Sequence, residues 1–564
     1  MFLRVARFTL AICPLLSVVS AQSPPAAPPL IGILDAELAR NFALLSKQSE
    51  PPVYYIAYSV TGEESGTISA SFGSIVTDTR SRQRIGECSL RAGTPEFDNF
   101  HVVDGDRQSY TSATSLPEED DAATIRVDFW RLTDAAQRIA VQRFQQVQSA
   151  VKNKQAPARA TADFSVEPPR TAVLAVPALK VNAEEWKTRL RRLSLLSRDA
   201  PAAINSSLTL SWRREVKTLV NSEGTRLQHG RTFAMLSIIA RGKAADGEDL
   251  VALESFDAED PSRLPKDDVL RAAFQKALAS LEKLRNAPQA DPFVGPAILS
   301  GGAAGVFFHE IFGHRIEGHR QSDLQEGQTF SNSVGKSVLP DFLSVIFDPT
   351  LHNTAGADLN GWYSFDDEGV PARRVTVVEN GILKTFLLSR TPAPGFDHSN
   401  GHGRKQPGLE ALSRQSNLLV IPSKTVKETE LRRMLIDEVR RQGKSYGLYF
   451  DVVIGGYTQT RRDSLQSFTV IPLVVYRVYA DGRPDELVRG ADIVGTPLAS
   501  FARIIAVSDK PAVFNGYCGA ESGQVPVSAV APALLVTEIE IQRKHNTGDR
   551  PPLLPRPTEG NVMP

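Results

Sequence analysis

Two histidines and a glutamate lie close together in the middle of the chain, in the run HEIFGH that spans residues 309–314. Imidazole nitrogens are common zinc ligands, and a neighbouring carboxylate can take a proton from an attacking water molecule. These residue types indicate a metal-dependent hydrolase in which His309 and His314 bind zinc and Glu310 is the general base. The alternative is a helix that carries two unrelated histidines, and the spacing alone favours neither.

The spacing of the two histidines differs from that of the common helical zinc motif, in which they are four residues apart. Here they are separated by five positions, so His314 would lie roughly 140° around a regular helix from His309. A regular helix therefore cannot direct both side chains at one ion. The sequence predicts a bulge or a break between them, which Gly313 would make easier.

The chain has 564 residues, a length that predicts two or three domains. Lys and Arg together number 64, as do Asp and Glu, so the formal net charge is zero. Nothing in this balance indicates nucleic acid or an acidic membrane surface as a partner. The hydrophobic content of 41% is typical of a globular protein with substantial cores.

The first residues have the pattern of a signal peptide, which predicts an exported protein, periplasmic or secreted. Arg4 and Arg7 precede the apolar stretch Phe8–Val19, and small residues follow at positions 19–21. We expect cleavage after residue 21, which would make residues 1–21 the leader. An uncleaved anchor is the alternative, although the apolar stretch is short for a membrane span.

Removal of that leader would leave two cysteines, Cys88 and Cys518. An exported compartment permits a disulfide between them, but a chain of this length does not need one. The other possibility is that one of these cysteines binds a metal ion as a thiolate.

Alternating helical and strand patterns predict an α+β protein, with an α/β N-terminal region followed by a β-rich C-terminal region. We predict an N-terminal α+β domain over residues 31–180 and a middle α+β domain over 181–290. Many short β-like runs, separated by Gly, Asn and Asp turns, predict a β-rich domain over 291–544 that carries the histidine helix. The polar, proline-rich residues 545–564 predict a flexible tail.

The chain from about residue 295 to residue 541 resembles the TldD/PmbA family of zinc metallopeptidases. The similarity is carried by several blocks in order, whereas the first 180 residues resemble the family only loosely. The blocks are Gly302–Gly318, with its HExxxH run followed by Glu-Gly, then Gly361–Gly369, Asn380–Lys384, Asn400–Arg404, Asn515–Gly519 and Gly523–Val527.

The resemblance implies a zinc ion bound by His309, His314 and Cys518, with Glu310 as the catalytic general base. It also implies that Cys518 is free to bind the metal, so we predict no disulfide between Cys88 and Cys518. Family members are dimers with a channel closed to folded proteins. The resemblance therefore implies a peptidase of unfolded or extended peptides, either a homodimer or a heterodimer with a paralogue.

Two other functions are compatible with the sequence. The family includes non-catalytic subunits that complete a heterodimer, but such partners lack the zinc motif that this chain retains. The second alternative is an exported binding protein in which the histidines are incidental.

The remaining polar residues of the C-terminal region carry weaker signals. We expect the acidic turn Asp366–Glu368 to be solvated, with a cation site as the alternative. We expect Arg404 to be a surface arginine, with contact to a substrate carboxylate or a peptide carbonyl as the alternative. His319 follows the Glu-Gly pair and is expected to be a solvated histidine, with a spare metal ligand or a proton-transfer group as alternatives. His398 and His402 are expected to face solvent.

Overall fold

The structure is a computed structural model that describes residues 29–153, 161–463, 466–496 and 500–544. The predicted leader and the predicted tail lie outside these residues. Helices and strands are mixed along the described chain, which confirms the predicted α+β class. No helix among the described residues is long and apolar enough to cross a membrane. The α-helices are α1 (Pro29–Gln48), α2 (Ala122–Lys152), α3 (Ala183–Ser194), α4 (Asp267–Asn286), α5 (Gly301–Ile311), α6 (His319–Ser322) and α7 (Glu428–Arg441).

The N-terminal half of the described chain is built on one eight-stranded sheet. Its strands are β1 (Val53–Ser71), β2 (Ser74–Thr94), β3 (Phe97–Asp98), β4 (Ser112–Ser115), β5 (Thr171–Val173), β6 (Asn205–Asn221), β7 (Arg226–Lys243) and β8 (Asp249–Ala258). The spatial order is β3-β2-β1-β6-β7-β5, with β4 beside β2 and β8 beside β7. All pairs are antiparallel except β5 with β7. Because β1 pairs with β6, the predicted domains 31–180 and 181–290 contribute strands to the same sheet.

Amphipathic helices bury their apolar sides against this sheet in two separate cores. In α2 the buried residues recur three or four positions apart, as in Ile125, Phe129 and Leu132, and they pack with α1, β1 and β2. Helices α3 and α4 form the other core with β6, β7 and β8, around Leu190 and Phe274.

The C-terminal half is built on an eleven-stranded sheet, centred on the long strand β23. Strand β23 pairs with β9, β17, β21 and β22, and most of its side chains are buried. The strands of this sheet are β9 (Phe293–Leu299), β10 (Leu343–Phe347), β13 (Val375–Glu379), β14 (Ile382–Leu383), β17 (Asn417–Pro422), β18 (Tyr446–Thr458), β19 (Phe468–Tyr479), β20 (Glu486–Val488), β21 (Ala491–Gly495), β22 (Ile504–Ala520) and β23 (Gly523–Arg543). Two small ladders complete the fold, β11 (Asn353–Thr354) with β12 (Ala357–Asp358) and β15 (Gly403–Arg404) with β16 (Leu412–Ser413).

Helix α5 is buried on nearly all sides in the largest core and lies directly against β23. Its N terminus is capped by Ser300, whose hydroxyl accepts a hydrogen bond from the backbone N–H of Ala303. Gly301 allows the close approach, because a Cβ there would lie only 2.6 Å from the carbonyl oxygen of Ala531. This packing brings the end of α5 next to the paired strands β22 and β23.

The close packing predicts opposite effects for two neighbouring substitutions. Gly301→Ala is expected to destabilise the protein by about 1–3 kcal/mol, because the added methyl group would meet a backbone carbonyl that cannot rotate away. Gly302→Ala is the matched control: nothing lies within 4 Å of its Cβ position. It should be neutral or stabilising by up to about 1 kcal/mol, since alanine favours helix more than glycine. Chemical unfolding of both variants measures the difference, and equal stability would contradict the packing described here.

Candidate metal centre

The helix that carries His309 ends before the second histidine. Helix α5 stops at Ile311, and residues 313–316 form a separate 3-10 turn. The change of backbone path places the ring centroids of His309 and His314 5.1 Å apart. The prediction of a broken helix between the histidines is therefore confirmed.

Gly313 and Gln415 fix this break. The side-chain Nε2 of Gln415 donates a hydrogen bond of 3.2 Å to the carbonyl oxygen of His309, near the free end of the helix. A Cβ at Gly313 would lie 1.9 Å from Oε1 of the same Gln415, which is fully buried. Glycine is therefore the residue that fits between the turn and the side chain that holds the helix end.

Cys518, on strand β22, completes a cluster with the two histidines. Its Sγ lies 3.4 Å from Nε2 of His314, and the potential ligand atoms of His309, His314 and Cys518 all lie within 4.8 Å of one another. Zinc bonds of about 2.0–2.3 Å hold tetrahedral ligand atoms roughly 3.3–3.6 Å apart, so small side-chain movements would let all three bind one ion. Cys88 and Cys518 are both free thiols, which confirms the predicted absence of a disulfide.

The surroundings of Cys518 favour a thiolate. Burial alone would raise its pKa, but the nearby His314, His309 and Arg414 outweigh burial and hold the pKa well below its usual value. Arg414 donates hydrogen bonds from one nitrogen to the Sγ of Cys518, at 3.3 Å, and to its carbonyl oxygen, at 2.7 Å. A thiolate is the form in which cysteine binds a metal ion.

Glu310 lies beside this cluster and is itself buried, with 6% of its surface exposed. Burial raises the pKa of its carboxyl group, an effect that the positive charge of neighbouring histidines partly opposes. Gly456 on β18 leaves room for it, because a Cβ there would approach Cγ of Glu310 to 2.8 Å. A carboxylate whose pKa is raised accepts a proton more readily and can then return it.

A buried carboxylate that the sequence analysis did not single out holds the second histidine. Oε2 of Glu317 lies 3.4 Å from Nδ1 of His314, the ring nitrogen that faces away from Cys518. Burial would raise the pKa of Glu317, but His314 and Arg320 lower it to about 2. Arg320 donates a hydrogen bond of 2.9 Å to Glu317, and Arg414 lies 3.5 Å from its other oxygen. A carboxylate in this position fixes which nitrogen of a histidine is available to a metal.

Several expectations of solvent exposure in the C-terminal region are wrong. His319 is 2% exposed and packs near Arg320 and Glu521; it does not belong to the cluster of potential metal ligands. His402 is fully buried, and its Nε2 lies 3.1 Å from the hydroxyl of Ser416. The side chain of His398 is 73% exposed, as expected.

The acidic turn Asp366–Glu368 is also largely buried, because the N-terminal sheet covers it. Lys217, from β6, donates a hydrogen bond of 2.5 Å to Asp367. Asp366 accepts hydrogen bonds from backbone N–H groups, including that of Gly403 at 2.9 Å. The turn therefore joins the two halves of the molecule.

A cavity of about 460 Å³ lies where the N-terminal sheet meets the loops and the β22–β23 hairpin of the C-terminal half. We call it the inter-sheet cavity. None of the four predicted site residues lines it, but Tyr517, the neighbour of Cys518, does. Arg404, expected at the surface, is only 5% exposed and also lines the cavity.

Comparisons with known proteins relate the C-terminal half of the chain to metallopeptidases. Residues 294–543 match the family model described as the PmbA/TldA metallopeptidase C-terminal domain. A metalloprotease of Methanocaldococcus jannaschii is 28% identical over 263 residues, which are 46% of this chain and 53% of that protein. A zinc metalloprotease TldD homolog of Saccharolobus solfataricus is 25% identical over 274 residues, which are 48% of this chain and 57% of that protein.

The similarity of fold extends further than the similarity of sequence. The crystal structure of TldE from Thermococcus kodakarensis superposes with a TM-score of 0.60 at 13% identity, covering 90% of this chain and 99% of that one. The alignments span just over half the length of the two metalloproteases. Residues 294–543 therefore match the C-terminal metallopeptidase domain of the TldD/PmbA family, and this part of the chain contains the cluster of His309, His314 and Cys518.

Proposed function

We propose that this protein is a zinc-dependent peptidase that hydrolyses peptide bonds in unfolded or extended peptides. The cluster of His309, His314 and Cys518, with the buried Glu310 beside it, carries the proposal. Nitrogen and sulfur donors are those that zinc prefers, and three protein ligands are the number found in catalytic zinc sites. The match to a metallopeptidase domain and the names of its relatives support the same chemistry.

The side chains of the site have separate tasks in this reaction. Zinc, when bound, would lower the pKa of a water molecule and polarise the peptide carbonyl. Glu310 accepts a proton from the attacking water molecule while the water oxygen forms a bond to the carbonyl carbon. It then donates that proton to the peptide nitrogen as the carbon–nitrogen bond breaks. Glu317 holds Nδ1 of His314, and Arg414 holds the thiolate of Cys518.

Glu317→Gln is expected to weaken zinc binding by about 10–100-fold, the usual effect of removing the carboxylate behind a ligating histidine. Competition with a chromogenic chelator measures the affinity. Glu326→Gln is the matched control, because Glu326 also accepts a hydrogen bond from Arg320 but has no contact with a proposed ligand. Equal zinc affinity in both variants would show that Glu317 does not position His314.

Digestion of a mixture of unstructured peptides by the purified protein tests the proposal. We expect cleavage that a chelator abolishes and added zinc restores, and no cleavage of a stably folded protein of similar length. A preparation that contains zinc but cleaves no peptide would favour the alternative of a non-catalytic subunit. A preparation without zinc would favour the exported binding protein.

We further propose a dimeric assembly and an exported location. The similarity to TldE supports a partnership of the TldD–TldE kind, either with a second copy or with a paralogue. Analytical ultracentrifugation of the purified protein tests assembly. The leader pattern of residues 1–21 supports export, and N-terminal sequencing of the protein from its own cells tests it.

A further inference from the structure

The lining of the inter-sheet cavity includes five Lys and Arg side chains and four Asp and Glu side chains, and not every cation has a carboxylate in direct contact. Two of its cations already have partners: Lys217 binds Asp367, and Arg213 lies 3.5 Å from Glu63. A third, Lys405, donates a hydrogen bond of 3.0 Å to Glu87. The other two cations of the cavity lining are Arg231 and Arg404.

Arg231 and Arg404 are 8% and 5% exposed, and neither has a carboxylate within 4.0 Å among the described residues. Arg231 donates hydrogen bonds to the backbone and side-chain oxygens of Asn360. Arg404 donates hydrogen bonds of 2.6 and 2.8 Å to the carbonyl oxygens of Gln415 and Pro526. Carbonyl groups hold both guanidinium groups in place, and Glu215 of the same lining, which lies 3.4 Å from Lys217, offsets their charges only from a distance. A buried charge without a counter-ion in direct contact is costly.

Aromatic side chains form much of the remaining wall of the cavity. They are Trp362, Tyr363, Phe365 and Tyr517. The indole Nε1 of Trp362 is buried and has no acceptor among the described residues. A ligand that combines a negative charge with apolar surface matches this lining.

We propose that the inter-sheet cavity binds a carboxylate of the peptide substrate through Arg231 and Arg404. This deepens the proposed function and rests on it, because the ligand is a peptide. Guanidinium groups bind carboxylates with strong, charge-assisted hydrogen bonds. A second cavity of about 310 Å³ shares Arg213 and Tyr517 with the first, which gives an extended peptide room to continue between the two halves.

The inter-sheet cavity and the candidate metal centre lie on opposite faces of the same strand. Tyr517 lines the cavity, whereas the next residue, Cys518, points to the two histidines, as expected for neighbouring residues of a strand. The carboxylate would therefore bind away from the bond that is cleaved. The cavity would select which peptides the protein takes, and the metal centre would cleave them.

Binding to the full-length Glu310→Gln protein tests this proposal separately from hydrolysis. The probes are four versions of one labelled, unstructured peptide: with a glutamate and a free C terminus, with glutamine in place of glutamate, with a C-terminal amide, and with both changes. We expect the version without either carboxylate to bind about 10–100-fold more weakly, as for the loss of a charge-assisted hydrogen bond. The two single changes identify whether the side chain or the C terminus supplies the carboxylate.

Arg231→Gln in the same protein should bind the carboxylate and amide versions almost equally. Arg138→Gln is the control, because it removes one positive charge from an exposed pair with Asp134 on α2. The proposal would be overturned if the Glu310→Gln protein with Arg231 intact bound all four peptides equally or bound none of them. Both results are obtained without the Arg231 variant, so they do not depend on whether that variant folds. Absence of hydrolysis by the parent protein, with the carboxylate preference retained, would reject the peptidase and leave the binding site standing.

Discussion

Replacing Glu310 with glutamine is expected to lower peptide turnover by about 10²–10⁴-fold, the usual contribution of a general acid–base group. Glutamine keeps the size and polarity of the side chain but cannot accept a proton from the attacking water. Glu310 is not one of the clustered ligands, so zinc content should remain that of the parent. Turnover of an unstructured peptide, zinc content and melting temperature are measured together on the variant.

Glu438→Gln provides the matched control for this experiment. Glu438 is also a buried carboxylate, but it lies on α7 and bonds Arg441, with no contact to the candidate metal centre. We expect its turnover to equal that of the parent. A Glu310→Gln protein with normal zinc and near-normal turnover would remove Glu310 from the mechanism.

Replacing Cys518 with alanine is expected to weaken zinc binding by more than about 100-fold. This exceeds the usual loss of about 10–100-fold when a residue that only hydrogen-bonds a metal ligand is removed. Two histidines would remain, one fewer than the three protein ligands of catalytic zinc sites. Peptide turnover should be lost with the metal. Elemental analysis after dialysis against a weak chelator measures the zinc content.

Cys88→Ala is the control, because Cys88 is the other buried free thiol and lies in the core formed by α1, α2 and β2. That variant should keep its zinc even if the core is somewhat less stable. Zinc retained equally by both alanine variants would refute the assignment of Cys518 as a ligand.

The break in the histidine helix was predictable because it follows from local geometry. In a regular helix, two histidines five residues apart cannot both bind one metal ion. The α-helix ends at Ile311, and Gly313 begins the 3-10 turn that follows. A contact between Glu317 and His314 could also have been considered from the sequence, because Glu317 follows His314 by three residues. Whether it faces that histidine, however, depends on the 3-10 turn, which residue types alone do not specify.

The parts that the sequence did not predict depend on contacts between distant segments. Arg414 reaches Cys518 only because β22 and the segment around residue 414 meet in the folded chain. The acidic turn Asp366–Glu368 has the composition of a solvated loop, and it is buried because β6 brings Lys217 onto it. The shared N-terminal sheet has the same origin, since the pairing of β1 with β6 joins segments about 150 residues apart in the chain.

X-ray absorption spectroscopy at the zinc edge tests the central claim most directly, because it identifies the atoms bound to the metal. The proposed site predicts one sulfur at about 2.3 Å and two imidazole nitrogens at about 2.0–2.1 Å, with a light atom as the remaining ligand. The sulfur contribution should disappear in Cys518→Ala. A zinc environment made only of nitrogen and oxygen in the parent protein would contradict the proposed site.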